Sequence, residues 1–402
     1  MNDDATKTIT RRIVGLDAHP DVFTAALVAG THPANAAVLK YWDQRPIQQL
    51  EAWAEKNLQP QDLIILEASG NSFELCARLA RVQRQAVVTD SAQSAKLKDG
   101  YCSNDKRSAV RLAESWLTGK AKVVWQPDAL TLERREVLAA YLQSVKRNTQ
   151  MRNRIKSFLS DHGVRLPTGQ SLLVSGTWEW IWSKRTWTAM QRALLESYRD
   201  DFVQAHTQRT KLRAVIARAV LEDAQLLQLT RLDGIRDVIA FALVAAIGDV
   251  NRFANPKKLV AYIGLNPSLE QSGNYTQADT SLKRHGRSDV RSLLIQGAQA
   301  VLRQRNLPLG RWGWRLLARK SSRNEVVVAV ARKMVVAVWY LLKGLWNPLI
   351  ELNQRAQIKL TKITGEIKGL TREQRAQCFQ EAKRKLLEEG IYVLDPTKTF
   401  AV

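Results

Sequence analysis

The chain reads as an α/β domain followed by an all-α region, and three observations carry that reading. From Arg12 to about Trp125, short apolar runs alternate with helical segments. From about Ala129 onward, apolar residues recur at three- and four-residue spacing instead. The 402 residues suffice for two or three domains, each with its own core.

In the first region, RIVGLDAH and FTAALVAG predict a hairpin and AAVLKYW a third strand. DLIILEAS follows the helical IQQLEAWAEKN as a fourth strand, and AVVTD follows SFELCARLARVQ as a fifth. Three consecutive strands and then βα units is the order of an RNase H-like fold, which carries its chemistry at strand ends. Asp17 and Glu67 stand at two such ends. Asp17 alone fits a strand-end turn residue equally well. Glu67 is more telling, because an acid closing a buried strand is costly unless it is partnered or used.

Leu138, Tyr141 or Leu142, Val145, Met151, Ile155 and Phe158 predict one long helix. Leu194, Tyr198, Phe202, Leu212, Val215, Ala219 and Leu226 predict a second, so the two form an antiparallel pair or a coiled coil between protomers. Between them Gly163, Pro167, Gly169 and Gly176 mark a loop, and TWEWIWSKRTW gathers Trp178, Trp180, Trp182 and Trp187. Tryptophans can stack bases. As large apolar groups, these are better read as packing the end of the helical arm or an oligomer contact.

The stretch from Asp233 to Arg291 is the richest in motifs. Gly234 can open a tight turn before an apolar helix and Gly248 sits where that helix should stop, the outline of a helix-hairpin-helix-like motif offering backbone N–H groups to phosphate. Ser272 beside Gly273 is a hydroxyl reachable by a bulky substrate, and Lys283, Arg284, Arg287 and Arg291 supply positive charge for a phosphodiester. Most isolated Ser-Gly pairs are ordinary turns. Further on, Arg303, Arg305, Arg311, Arg315, Arg319, Lys320 and Arg323 form a run almost devoid of acids, suited to counterion-releasing contacts with a phosphate backbone. The last fifty or so residues read as helix, charged and Gln-rich, with no chemistry to assign.

Composition agrees. Lys and Arg number 61 against 38 Asp and Glu, a net charge of +23 spread along the whole chain, which makes nucleic acid the natural partner. A membrane surface would want a basic amphipathic anchor or lipidation signal, and neither terminus offers one. No signal peptide is expected, because MNDDATKTITRR is polar and lacks an apolar h-region, and no spanning helix, because Arg332 and Lys333 interrupt the most apolar stretch. Cys76, Cys102 and Cys378 are widely spaced and the five histidines dispersed, which fits reduced thiols in a cytosol and argues against zinc.

Two sets of motifs, in this order, resemble the DEDD insertion-sequence transposases, the IS one-ten family of RNA-guided recombinases. IVGLDAHPD around Asp17, ILEASG around Glu67 and SNDKRSAVRLAE around Asp105 are similar to its RuvC-like N-terminal domain. Gly264-Leu265-Asn266-Pro267, Ser272-Gly273, Arg284-x-Gly286 and Val290-Arg291 resemble its C-terminal transposase domain. The resemblance implies a RuvC-like domain over 1–126, a helical coiled-coil linker over 127–227, a transposase domain over 228–350 and a helical extension over 351–402. It implies that Asp17, Glu67 and Asp105 hold Mg²⁺ and that Ser272 attacks a DNA phosphate, forming a phosphoserine. Lys283, Arg284, Arg287, Arg291, Arg311, Arg315 and Arg319 are the expected nucleic-acid contacts. Donor and target DNA, a structured non-coding guide RNA and a tetramer, a dimer of dimers, are the implied partners, in a bacterial cytosol at the nucleoid. The family's fourth acid should fall three residues after Asp105, where this chain has Ser108. Asp99 and Glu114 are the nearest substitutes, neither at the expected spacing. Two other readings remain: a RuvC-like metal-dependent junction nuclease, and a catalytically inactive nucleic-acid-binding protein.

Overall fold

A computed structural model describes residues 11–90, 104–119, 121–266, 270–272, 275–277, 286–320, 322–345 and 353–388. It is mixed α/β and divides into two compact units, Met1–Pro127 and Asp128–Val402.

In the first unit, β1 (Arg11–Ala18), β2 (Val22–Gly30) and β3 (Ala37–Pro46) form an antiparallel meander. Helix α1 (Leu50–Asn57) leads to β4 (Leu63–Glu67), and α2 (Ser72–Arg81) leads to β5 (Gln85–Thr89). These last two strands run parallel to β1, as strands joined by helical crossovers do, and the sheet order is β3-β2-β1-β4-β5. All five strands lie where the apolar runs predict them. The final helix of the unit is α3 (Asp105–Leu117), capped by Asn104, whose side chain accepts from the Arg107 N–H at 2.8 Å.

Alternation along the strands supplies two apolar faces. Val14, Leu16, Ile64 and Leu66 join Phe23, Trp42 and Trp53 and residues of α1 and α2 in one cluster. Ile13, Val28 and Ile65 face the other way, against Leu112 and Ala113 of α3. Gly15 lies on that second face. A Cβ there would overlap the Ala109 carbonyl oxygen, so the lack of a side chain lets α3 seat directly on β1.

The second unit begins with α4 (Ala129–Asp161), capped by Asp128 through the Thr131 N–H at 2.7 Å. After α5 (Ser175–Ser183) comes α6 (Ala189–Glu222), opened by a capping box of Thr188 and Gln191. The two long helices are an antiparallel pair within one chain. Leu138 and Tyr141 share a core with Ile216 and Val220, whereas Ile155 and Leu159 share one with Leu195 and Phe202. The tryptophans of α5 and its flank close the second core. Trp178 and Trp187 are buried, donating through Nε1 to the Leu172 and Ile181 carbonyls at 2.8 and 3.2 Å. Packing therefore explains these two rings. Gly176, expected in the preceding loop, lies inside the first turn of α5.

The remaining elements build the larger core: α7 (Ala224–Leu229), α8 (Asp237–Ile247), α9 (Pro256–Ile263), the hairpin β6 (Glu270–Ser272) and β7 (Tyr275–Gln277), α10 (Ser288–Leu302), α11 (Pro308–Leu317), α12 (Arg323–Leu342), α13 (Asn353–Glu366) and α14 (Arg372–Glu388). Helix α8 is almost wholly buried, which its continuous apolar sequence requires. Helices α13 and α14 belong to this core as well, through Ala356, Leu360, Ile363, Ala382 and Leu386.

Candidate active site

By strand alternation Asp17 and Glu67 fall on the sheet face that α3 covers. Leu16 of β1 pairs with Leu66 of β4, so Asp17 and Glu67 each follow the last paired residue on neighbouring parallel strands. Asp17 lies opposite Thr24 and Glu67 opposite Thr89. Asp105 is the first residue of α3, and the seating of that helix at Gly15 brings its N-terminal turn to this end of the sheet.

Asp17, His19 and Asp105 each offer one ligand atom, and these atoms lie within 4.8 Å of one another. His19 Nε2 is 3.7 Å from Asp105 Oδ1, with both side chains nearly half exposed. His19 was not singled out from the sequence. Its signal is an Asp-x-His spacing at a strand end, which puts two donors two residues apart. The turn that carries it is fixed by its own N–H donating to the Val22 carbonyl at 2.8 Å. Glu67, on the adjacent strand end, is outside this three-residue group.

Ser108 sits one turn after Asp105 on α3, its N–H donating to the Asn104 carbonyl at 2.9 Å. Glu114 is nine residues beyond Asp105, about 13 Å along the helix axis, too far to serve as the missing acid. Asp99 lies outside the described residues. On the same flank, Lys106 pairs with Asp43 at 2.9 Å and holds that carboxyl below its ordinary value.

In the second unit, Ser272 is the last residue of β6, paired across the hairpin with Tyr275. Gly273, Lys283 and Arg284 lie outside the described residues. The base of the segment is pinned where it leaves and rejoins the helices. Gly264 (φ +83°) and Gly286 (φ +98°) are both left-handed, and a Cβ on Gly286 would come within 2.8 Å of the Gly264 nitrogen. The Arg287 N–H donates to the Tyr262 carbonyl at 3.2 Å, and Arg291 Nη1 donates to the Gly264 carbonyl at 3.1 Å.

Arg287 also grips Asp289 with two hydrogen bonds, at 3.0 and 2.7 Å. Burial pushes the Asp289 carboxyl up, but Arg287 outweighs it and leaves the group below its ordinary value. The Tyr262 phenol behaves likewise, raised by burial and brought below its usual value by Arg252 and Arg287. Two of the expected nucleic-acid contacts, Arg287 and Arg291, thus also hold the root of the serine hairpin. Arg311 and Arg315 line a cleft on α11, and Arg319 is exposed just beyond that helix.

Glycines bound α8 at both ends: Gly234 turns at φ +75° before it, and Gly248 ends it at φ +56°. Residues 230–235 between α7 and α8 carry a further feature. Lys359 of α13 donates from Nζ to the carbonyls of Thr230, Leu232 and Ile235 at 2.7, 2.7 and 2.8 Å. One ammonium thereby satisfies three turn carbonyls.

Residues 227–312 match the IS116/IS110/IS902 transposase family, a span from α7 into α11 that includes both hairpin glycines and Ser272. The chain is 23% identical over 307 residues to y4qE, a Sinorhizobium fredii protein named as a transposase, covering 75% of this chain and 72% of that one. It is 32% identical over 152 residues to a Pseudomonas aeruginosa protein named as a family 20 transposase, covering 37% of this chain and 44% of that one. It is 27% identical over 253 residues to the transposase for insertion sequence element IS1111A of Coxiella burnetii, covering 60% and 66%. The alignments thus span less than two thirds of two of these three relatives.

Proposed function

The chain belongs to the IS116/IS110/IS902 family of transposases and is a DNA transposase/recombinase, and from that premise we propose that it cuts and rejoins DNA through a serine nucleophile and metal-bound carboxylates. The observation that carries this reading is the cluster of Asp17, His19 and Asp105 at the sheet end covered by α3. Two carboxylates suit a hard divalent cation such as Mg²⁺, and the imidazole extends the choice to Mn²⁺. Asp17, Asp105 and the neighbouring Glu67 would hold the ion, with Ser108 a neutral oxygen where the family has an acid. When bound, the ion neutralises charge on the phosphoryl oxygens.

The chemistry assigned to the chain's own groups is a transfer. Ser272 Oγ bonds to phosphorus as its proton leaves, the bond from phosphorus to the 3′ oxygen breaks, and that oxygen takes up a proton. Attack by the freed 3′ hydroxyl of another strand reverses the step, so rejoining needs no ATP. We read the first unit as RNase H-like and RuvC-like on its strand order β3-β2-β1-β4-β5. Serine and acids supplied by different protomers of a tetramer, and target choice by a structured non-coding RNA, complete the proposal. The guide fits a net charge of +23 without a base-reading sequence motif. Among the described residues no helix is long and apolar enough to cross a membrane, and we place the protein with DNA at the nucleoid.

Co-expression of the full chain with its flanking DNA tests this. Ser272→Ala is expected to abolish both the covalent protein–DNA adduct and excised circles, and Asp105→Asn to reduce circles by at least about a hundredfold. Strand cutting that survives Ser272→Ala would replace this reading with the metal-dependent nuclease.

A further inference from the structure

A cleft of about 620 Å³ opens at the start of α11, lined by Arg305, Pro308, Arg311, Trp314 and Arg315. That volume lies within the range of about 300–1,000 Å³ in which small organic ligands are held. Its shape follows from the sequence RQRNLPLGRWGWR. Pro308 starts the helix, and Gly310 lets it fold back on the end of α10, since a Cβ there would overlap the Gln304 carbonyl oxygen. Gly313 in turn permits contact with Leu302. Arg311, Trp314 and Arg315 then share one helical face at three- and four-residue spacing.

Trp314 is fixed by its Nε1 donating to the Leu302 carbonyl at 2.8 Å, and the Arg305 guanidinium lies over its ring, 3.8 Å from the centroid. The rim holds Arg305, Arg311 and Arg315, all exposed, and among the described residues no acid lines the cleft.

We propose that this cleft takes one unstacked nucleotide of a single strand, with the base against Pro308 and the Arg305–Trp314 stack and the flanking phosphates on Arg311 and Arg315. The chemistry favours a nucleotide over an acidic peptide: a carboxylate would use the arginines and leave the aromatic floor idle, whereas a nucleotide presents a π face beside an anion. The inference rests on nucleic acid being the substrate. It adds a site that selects unpaired strand over duplex.

The experiment uses the full chain carrying Ser272→Ala, without divalent metal, so that its outcome is independent of strand transfer. Binding of a labelled oligothymidylate is compared with that of an abasic phosphodiester strand of the same length and charge. The base-bearing strand is expected to bind about tenfold tighter, a preference that Trp314→Leu removes. Arg311→Gln with Arg315→Gln, both exposed, is expected to weaken both strands by a similar factor. Should Trp314→Leu fail to fold, a strand carrying 5-iododeoxyuridine, photocrosslinked to the Trp314-containing protein, is expected to attach within 305–315. Equal affinity for the two strands, a preference that persists in folded Trp314→Leu, or crosslinks elsewhere only would overturn the proposal. Each of those results leaves the serine transposase reading standing.

Discussion

Gly15 illustrates how one missing methyl positions chemistry. Its second-face position on β1 meets the Ala109 backbone directly, so Gly15→Ala must lift α3, and Asp105 moves with that helix. The variant is expected to lose about 3 kcal/mol in denaturant unfolding and to bind Mn²⁺ at least several-fold more weakly by electron paramagnetic resonance. Wild-type values for both would show that the close seating of α3 is wrong. Cys76 gives a second residue-scale expectation. Burial pushes its thiol from 9.0 up to about 11, with a smaller opposing pull from the Gln126 side chain. Between those two values the native state keeps a proton that the unfolded chain has lost, so this group's contribution to stability falls as pH rises through that window. Iodoacetamide at pH 8 should accordingly modify half-buried Cys378 and spare Cys76 until the protein unfolds, as peptide mass mapping would reveal.

At the scale of elements, α13 is tied to the turn before α8 by a single cation. Lys359 meets three carbonyls with its three N–H groups, so the turn holding Gly234 is locked from a helix more than a hundred residues away in sequence. Lys359→Met keeps the stem but leaves those carbonyls without that donor. A loss of about 2–4 kcal/mol in stability is expected, together with weaker duplex binding if the turn's N–H groups meet phosphate. Unchanged unfolding and binding in Lys359→Met would reduce the contact to a surface accident. The same helix carries Glu366, which joins Arg213 at 3.2 Å and Arg236 at 3.3 Å around fully buried Asp237. The C-terminal helices therefore brace the turn that opens α8, a role that their charged, Gln-rich composition conceals.

For the whole molecule, the excess of 61 basic over 38 acidic side chains sets how it meets nucleic acid. Each phosphate neutralised releases about 0.9 counterion from duplex DNA, so a surface making several contacts loses affinity steeply with salt. A plot of log K against log salt is expected to have a slope of about −5 or steeper for duplex. A slope near −1 would mean that most of these charges serve internal pairs, as Arg287 does with Asp289.

Asp105 is marked only by the family resemblance, whereas the order of residues alone yields the five strands, the two long helices, the glycines that open and close α8, and Asp17 and Glu67 as strand-end acids. Those features are local: periodicity, turn chemistry and a polar residue ending an apolar run are written in consecutive positions. Folding in three dimensions is what brings His19 to Asp17 and Asp105, sets Trp178 and Trp187 in a core, lets Arg287 and Arg291 pin the hairpin root and carries Lys359 to residues 230–235. Each of these depends on which distant segment the chain brings alongside, and pairwise contact between remote residues leaves no mark on the spacing of either one.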